Sequence, residues 1–236
     1  MSREFTELRQ AVAVANNAID EANLVVQAFG NASQVDRDHG VFAIKPSGIP
    51  CRAVTADDIV VVAVDTGEVV WGEHRPSSDT PAHRVLYDGI VSAGGVVHTH
   101  SRFATAWAQA RRSIPCLGTT HADNFRGSVP VTRKLEPDEI EGDYEENTGR
   151  VIVEMYGPDG LHPEDVPGAL VASHGPFVWG ATASDAVEVA ASLELVAELA
   201  FRTLSIRPGQ PAIEPELLDR HFRRKHGPMA YYGQPT

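Results

Sequence analysis

The sequence predicts an α/β fold, a single domain over residues 1–236 with a central, largely antiparallel β-sheet flanked by helices. Three observations predict it. Short β-branched runs, residues 41–44 and 59–64 among them, are joined to their neighbours by tight turns, which pair strands antiparallel. Stretches with apolar residues at helical spacing separate and flank these runs. The length of 236 residues also suits one full core, since a chain of this size hides roughly 70 % of its unfolded surface.

Taken in order, residues 5–26 place Leu8, Val12, Ala15, Ala18 and Ala22 on one face of an amphipathic helix. The strand at 41–44 leads into Lys45-Pro46-Ser47-Gly48. Residues 59–64, the turn Asp65-Thr66-Gly67 and residues 68–71 read as a hairpin. A helix follows Pro76-Ser77-Ser78-Asp79, with Thr80 as N-cap and Pro81 at the first helical position, where its missing N–H costs nothing. Residues 94–100 form a strand, and Ser101 caps a helix running through 104–110. The polar, turn-rich segment 119–149 reads as a long surface excursion. Strands resume at 151–155 and 168–172, and Ser173-His174-Gly175-Pro176 turns into residues 177–180. A long helix over 184–204 opens on Ser184-Asp185, and a basic helix spans 217–226.

The composition excludes several functions. With 32 acidic against 20 basic residues the formal charge is −12, which repels a phosphate backbone and argues against a nucleic-acid partner. Two cysteines, Cys51 and Cys116, make no disulfide framework and suit a reducing compartment. The start lacks the apolar core of a signal segment, and no stretch approaches the roughly 20 apolar residues that span a bilayer. The expectation is a cytoplasmic protein that avoids membranes.

His98-Thr99-His100 is the strongest chemical signal. Residues i and i+2 of a strand share a face, so both imidazoles can converge on one ion. His174, at another strand end, offers a third imidazole, and three protein ligands with an open position is the arrangement of catalytic zinc. Asp79 offers a carboxylate as a fourth. The spacing permits such a site without requiring it, because His-x-His also arises by chance. His39, His74 and His162 lie in polar loops and read as solvated; His83 reads as a surface or supporting residue of a helix.

Four polar segments could cradle a phosphate: Gly30-Asn31-Ala32-Ser33, Lys45-Pro46-Ser47-Gly48, Ser77-Ser78-Asp79 and Thr119-Thr120-His121-Ala122-Asp123. Each one alone also fits an ordinary turn or cap. No Walker or dinucleotide motif is present.

Together these segments resemble the class II aldolase/epimerase family, and within it the pentulose-phosphate 4-epimerases. Further matching blocks are Glu141-Gly142-Asp143-Tyr144-Glu145, Ser173-His174-Gly175-Pro176-Phe177, Arg224-Lys225-His226-Gly227 and the ending Tyr231-Tyr232-Gly233-Gln234. The resemblance runs from the first helix to the tail. Asp79 stands where related aldolases carry a catalytic glutamate; this, the Thr-Thr-His-Ala-Asp block and the Tyr-Tyr-Gly-Gln ending favour an epimerase. Arg111-Arg112 is a local departure outside the motifs.

The resemblance implies the class II aldolase/epimerase fold and interconversion of L-ribulose 5-phosphate and D-xylulose 5-phosphate by retro-aldol cleavage and re-addition. It implies Zn²⁺ on His98, His100 and His174, with Asp79 as a further ligand or near neighbour. Imidazole and carboxylate donors also accept Mn²⁺ or Co²⁺. Asn31, Lys45, Ser47, Gly48, Ser77 and Ser78 would hold the sugar phosphate, and Asp123 and Tyr232 would be the acid/base pair. Thr119, Glu145 and His221 match positions that line or support the site. The family further implies a homotetramer with sites between subunits, serving most often arabinose breakdown and otherwise ascorbate breakdown. The neighbouring expectations are an aldolase or a 4-epimerase for another ketose phosphate, and a non-enzymatic relative of the adducin head.

Overall fold

In the computed structural model, residues 5–157, 160–227 and 230–232 are described; Gly233 and Gln234 of the C-terminal motif lie outside them. Seven strands form one sheet: β1 (Asn31–Asp36), β2 (Val41–Ile44), β3 (Val60–Ala63), β4 (Val69–Trp71), β5 (Gly95–His98), β6 (Gly168–Leu170) and β7 (Pro176–Gly180). Their spatial order is β4-β3-β2-β1-β5-β7-β6, and every adjacent pair is antiparallel, as the tight turns predict.

Helices cover both faces. On one face lie α1 (Thr6–Glu21), α3 (Arg102–Ala110) and α7 (Ala183–Ile206); on the other lie α2 (Thr80–Gly89) and α6 (Tyr144–Val153). The strands alternate accordingly. Val41 and Ala43 of β2 pack toward α1, whereas Phe42 and Ile44 join Leu86, Tyr87 and Ile152 beneath α2 and α6. Double coverage explains why β2 and β5 are buried at every position. The long helix α7 presents Ala183, Ala186, Ala190, Ala197 and Ala200 to the sheet, small residues that permit close approach. Gly95 is required there, because a Cβ on it would lie 2.3 Å from the Ala183 nitrogen. Short helices α4 (Thr119–Ala122) and α5 (Pro137–Glu141) precede α6, and α8 (Pro215–Lys225) packs on α4.

Several expectations need correction. The polar segment after residue 119 is not a loop: it holds α4, α5 and α6, and the Glu136/Glu139 capping box that opens α5 was available in the sequence. Residues 151–153 end a helix instead of forming a strand, because Val151 and Ile152 are buried where α6 packs on α2. The first helix stops at Glu21, and Ala22 is exposed. Helix α2 begins at Thr80 with Asp79 in the capping position; the Thr80 hydroxyl donates to the Ser77 carbonyl at 2.6 Å instead of capping. Helix α7 opens on Thr182, which forms a capping box with Asp185. Ser101 precedes α3 without a side-chain cap, and the Glu194 carboxylate accepts the Phe103 and Ala104 N–H groups at 2.8 and 3.0 Å. Among the described residues no helix is long and apolar enough to cross a membrane.

Candidate active site

Asn31, expected in a loop, begins the central strand β1 and sits directly opposite His98 of β5, which in turn faces Phe177 of β7. This row of three projects onto the α2 face of the sheet. The His98 ring stacks on Phe177 at 4.1 Å between centroids, and its Nδ1–H donates to the Pro176 carbonyl at 2.9 Å. That bond fixes the tautomer and leaves Nε2 with a free lone pair.

His100, two residues beyond β5, brings its Nε2 to 3.2 Å from the His98 Nε2, and His174 in the β6–β7 turn completes the group. One nitrogen from each of the three lies within 4.8 Å of the others, and among the described residues no carboxylate belongs to that group. The 3.2 Å between the His98 and His100 nitrogens is near the roughly 3.3 Å that two nitrogens would take on a zinc ion at about 2.0–2.1 Å, and the donor set of three imidazoles suits such an ion. Their electrostatics agree. Burial, and then the neighbouring His98 and His100, pushes the His174 pKa down to about 3. Burial and His98 also lower His100, against the opposing pull of Asp79. Neutral imidazoles are the form that binds metal.

Asp79 stands beside this group, not in it. Its Oδ2 accepts the Asn31 amide N–H at 2.6 Å, and that amide also donates to Ser77 Oγ at 3.1 Å. Burial raises the Asp79 carboxyl, but His98, His83 and Asn31 together outweigh it and leave the pKa below the ordinary value. Asn31 Oδ1 is buried with no protein partner, a free acceptor at the site.

The Lys45 loop adjoins the same region. Ser77 N–H donates to the Lys45 carbonyl at 3.0 Å, and Ser47 N–H to the Arg75 carbonyl at 2.9 Å. Lys45 is 2 % exposed, and its ammonium donates to the Pro46 and Ile49 carbonyls at 3.1 and 2.7 Å. Burial lowers its pKa, with Cys51 and Asp79 opposing. Ser47, Gly48 and Ser78 are exposed, and Gly48 takes φ +78°, a left-handed turn that suits glycine.

Asp123, Thr119 and His221 assemble elsewhere, where α4 meets α8. Asp123 Oδ1 is 3.0 Å from His221 Nδ1, and the Arg224 guanidinium grips both carboxylate oxygens. Thr119 opens α4 and accepts the Asp123 N–H at 2.9 Å. The exposed Tyr232 ring lies 4.6 Å from the Arg224 guanidinium carbon. Burial raises the Asp123 carboxyl, but Arg224 and His221 overcome this and hold it below its usual range. Glu145 lies in the first turn of α6, partly exposed. Among the described residues no hydrogen bond, ion pair or ring contact joins the Asp123 cluster to the three histidines.

Three residues escaped sequence reasoning. Tyr144 OH lies 3.4 Å from His174 Nδ1, at the start of a helix in the segment whose polarity predicts a loop. His83, read as a surface or a supporting residue, is fully buried, and its partners are what the sequence concealed: its Nδ1 shares a 2.7 Å bond with Ser33 Oγ, which meets Tyr87 OH at 2.6 Å. Arg111, the unexpected charge, takes a left-handed φ of 54° and donates to Ser173 Oγ at 3.0 Å, beside His174. His39, His74 and His162 are exposed, as expected.

Residues 10–201 match the family model of the class II aldolase and adducin N-terminal domain. The chain is 50 % identical over 228 residues to L-ribulose-5-phosphate 4-epimerase UlaF of Salmonella paratyphi A, covering 97 % of this chain and 99 % of that one. The UlaF protein of Salmonella typhi gives the same figures. Among solved structures, an L-fuculose 1-phosphate aldolase superimposes with a TM-score of 0.77 at 22 % identity, over 95 % of this chain and 97 % of that one. YgbL of Escherichia coli, a putative aldolase/epimerase/decarboxylase, does so at 0.72 and 23 %, over 91 % and 97 %. At those identities the structural likeness speaks for the fold.

Proposed function

The chain belongs to the class II aldolase and adducin N-terminal domain family, and we propose from that premise that it is a sugar-phosphate isomerase, interconverting L-ribulose 5-phosphate and D-xylulose 5-phosphate at C4. The convergence of three imidazoles carries the reading, in a chain half identical along nearly its whole length to relatives named for that reaction. The same reading includes zinc, with Mn²⁺ or Co²⁺ as substitutes, a cytoplasmic homotetramer and a role in arabinose breakdown.

C4 of a 2-keto sugar phosphate is not adjacent to the carbonyl, so its proton is not acidic and simple deprotonation cannot invert it. Breaking the C3–C4 bond gives the enediolate of dihydroxyacetone and glycolaldehyde phosphate. Turning the aldehyde by about half a rotation and re-forming the bond gives the C4 epimer. His98, His100 and His174 would hold the ion, with Asp79 orienting the group through its charge and through Asn31. When bound, the metal supplies Lewis-acid stabilisation of the negative charge that develops on substrate oxygen.

The remaining work falls to the chain's own side chains. Asn31, Lys45, Ser47, Gly48, Ser77 and Ser78 would bind the substrate, and their grip on the phosphate keeps the aldehyde fragment in place between cleavage and re-addition. Inversion needs a proton acceptor on one side of C4 and a donor on the other, which two groups meet better than one. Asp123, ionised by its Arg224 and His221 partners, suits the acceptor. Tyr232 suits the donor, and Thr119, Glu145 and His221 would support the pair. The separation of this cluster from the histidines within one chain supports a site completed by a neighbouring subunit.

The test is conversion of L-ribulose 5-phosphate by the metal-loaded protein, following D-xylulose 5-phosphate and free aldehyde together. Xylulose phosphate without released aldehyde is expected. Accumulating aldehyde would make the protein an aldolase instead. Tyr232→Phe should lower turnover about 10²-fold or more with zinc still bound; a normal rate would remove Tyr232 from the reaction.

A further inference from the structure

Arg224 touches both members of the proposed acid/base pair. Its Nε donates to Asp123 Oδ1 at 2.9 Å and its Nη2 to Oδ2 at 2.5 Å, the planar fork-on-carboxylate geometry that lysine cannot reproduce. Its guanidinium carbon lies 4.6 Å from the Tyr232 ring centroid, and its carbonyl accepts the N–H groups of both Tyr231 and Tyr232 at 2.9 Å. A single residue of α8 therefore grips the carboxylate and seats the phenol.

We infer that Arg224 is a positioning residue that binds Asp123 and Tyr232 into one acid/base unit and leaves a single carboxylate oxygen to receive the substrate's proton. This inference rests on reading Asp123 and Tyr232 as the acid/base pair. A carboxylate has about four lone-pair directions, two on each oxygen. Oδ1 is saturated, since it meets both Arg224 Nε and His221 Nδ1, the latter at 3.0 Å. Oδ2 meets only Nη2 and keeps a lone pair, so it is the oxygen that takes the C4 hydroxyl proton. Arg224 and His221 of α8 are the charged and titratable groups facing this carboxylate; His226 beyond the helix meets the Asp123 carbonyl at 3.0 Å, and His121 on α4 turns to the Gly127 carbonyl.

The framework behind Arg224 is equally well fastened. Arg126 donates from Nε and Nη2 to Asp219 of α8 at 3.1 and 2.9 Å and from Nη1 to Asp165 at 3.3 Å. Its guanidinium also lies 5.9 Å from the Phe222 ring, which stacks on His226. The docking of α8 thus has its own anchors, so loss of the Arg224 side chain should release the pair without detaching the helix.

The experiment compares Arg224→Gln, Arg224→Lys, Asp123→Asn and the double variant Arg224→Gln/Asp123→Asn as full-length, zinc-loaded proteins with L-ribulose 5-phosphate. Asp123→Asn should lower kcat about 10²-fold or more. Arg224→Gln should lower kcat roughly tenfold to a hundredfold with KM changed less than about twofold. The acid limb of its kcat/KM profile should move to higher pH, since the carboxylate has lost its cation. Arg224→Lys restores the charge without the fork, so the acid limb should return toward its original position while kcat stays reduced. The double variant should be no slower than Asp123→Asn, because one side chain acts through the other. Arg224→Gln with normal kcat and an unmoved acid limb, beside an inactive Asp123→Asn, overturns the inference and leaves the pair standing. Normal turnover by Asp123→Asn overturns the pair itself. Should Arg224→Gln fail to fold, Arg224→Lys decides alone: wild-type kcat in it refutes the need for the fork.

Discussion

His121 is the residue through which acidification should first loosen the Asp123 region. It sits on α4, 3 % exposed, with Nε2–H donating to the Gly127 carbonyl at 2.8 Å and its ring edge-on to Phe125. Nδ1 is buried without a partner. A proton added there would place a charge and a second donor where no acceptor waits. Burial accordingly pushes the pKa down to about 4, against the smaller upward pull of the Gly127 bond.

The sign follows from linkage. The unfolded chain takes up this proton below pH ~6.5 and the folded chain only near the depressed value, so stability falls as pH drops between them. At about 1.4 kcal/mol per pKa unit, the loss is roughly 2 kcal/mol at pH 5 and about 3 kcal/mol when complete. For a chain of this size, 2 kcal/mol corresponds to about 4–8 °C in Tm. His121→Gln keeps a neutral donor for Gly127 but cannot titrate. Melting both proteins by calorimetry from pH 7.5 to 5, at one concentration, cancels the terms they share, including those of His83 and His174, each lowered by burial to about 3. The wild type should lose about 4–8 °C more than the variant over that range. Parallel curves would show that His121 is not a buried neutral group and refute the reasoning.

Three other perturbations have defined outcomes. Gly175→Ala would place a Cβ 2.8 Å from the Thr99 carbonyl oxygen, a backbone atom that cannot swing aside; a cost of about 1–3 kcal/mol and weaker metal retention are expected, and an unchanged melt with full metal content would contradict this. Glu194→Ala strips the acceptor from two N–H groups at the start of α3 and should cost about 0.5–2 kcal/mol by thermal melting, whereas equal stability would mean that water replaces the cap. Chelation should abolish turnover and lower Tm, with about 2.7 kcal/mol lost relative to protein held at a metal concentration 100 times the Kd; full activity in metal-stripped protein would remove the ion from the reaction.

The parts of the site legible in the sequence are those whose signals are local. His98-Thr99-His100 closes an apolar run, and the Ser-His-Gly-Pro turn of His174 joins two strands, so spacing and turn chemistry place both at strand ends. Asn31-Ala32-Ser33 misled for the opposite reason. Small polar residues read as a turn, yet they form an inner strand because their partners lie far along the chain: Ser77 and Asp79 for Asn31, His83 and Tyr87 for Ser33. Residues 151–153 carry β-branched side chains and still form helix, since packing on α2 outweighs that preference. The partners of Asp123 are about a hundred residues away, beyond any local pattern.

Register converts these separate segments into one site. A slip of β1 by a single residue would turn Asn31 from the α2 face to the α1 face and break its bonds to Asp79 and Ser77. The β1–β2 ladder begins only at the Ser33–Ile44 pair, so at Ala32 it gives no support. Asn16, fully buried on α1, fills that gap: its Oδ1 accepts the Ala32 N–H at 2.9 Å and its Nδ2 donates to the Ala32 carbonyl at 3.0 Å. The side-chain amide thus extends the ladder by one rung and fixes which residue of β1 faces His98. A polar residue inside an amphipathic helix, which apolar periodicity passes over, thereby sets the position of the amide that holds Asp79 beside the three histidines.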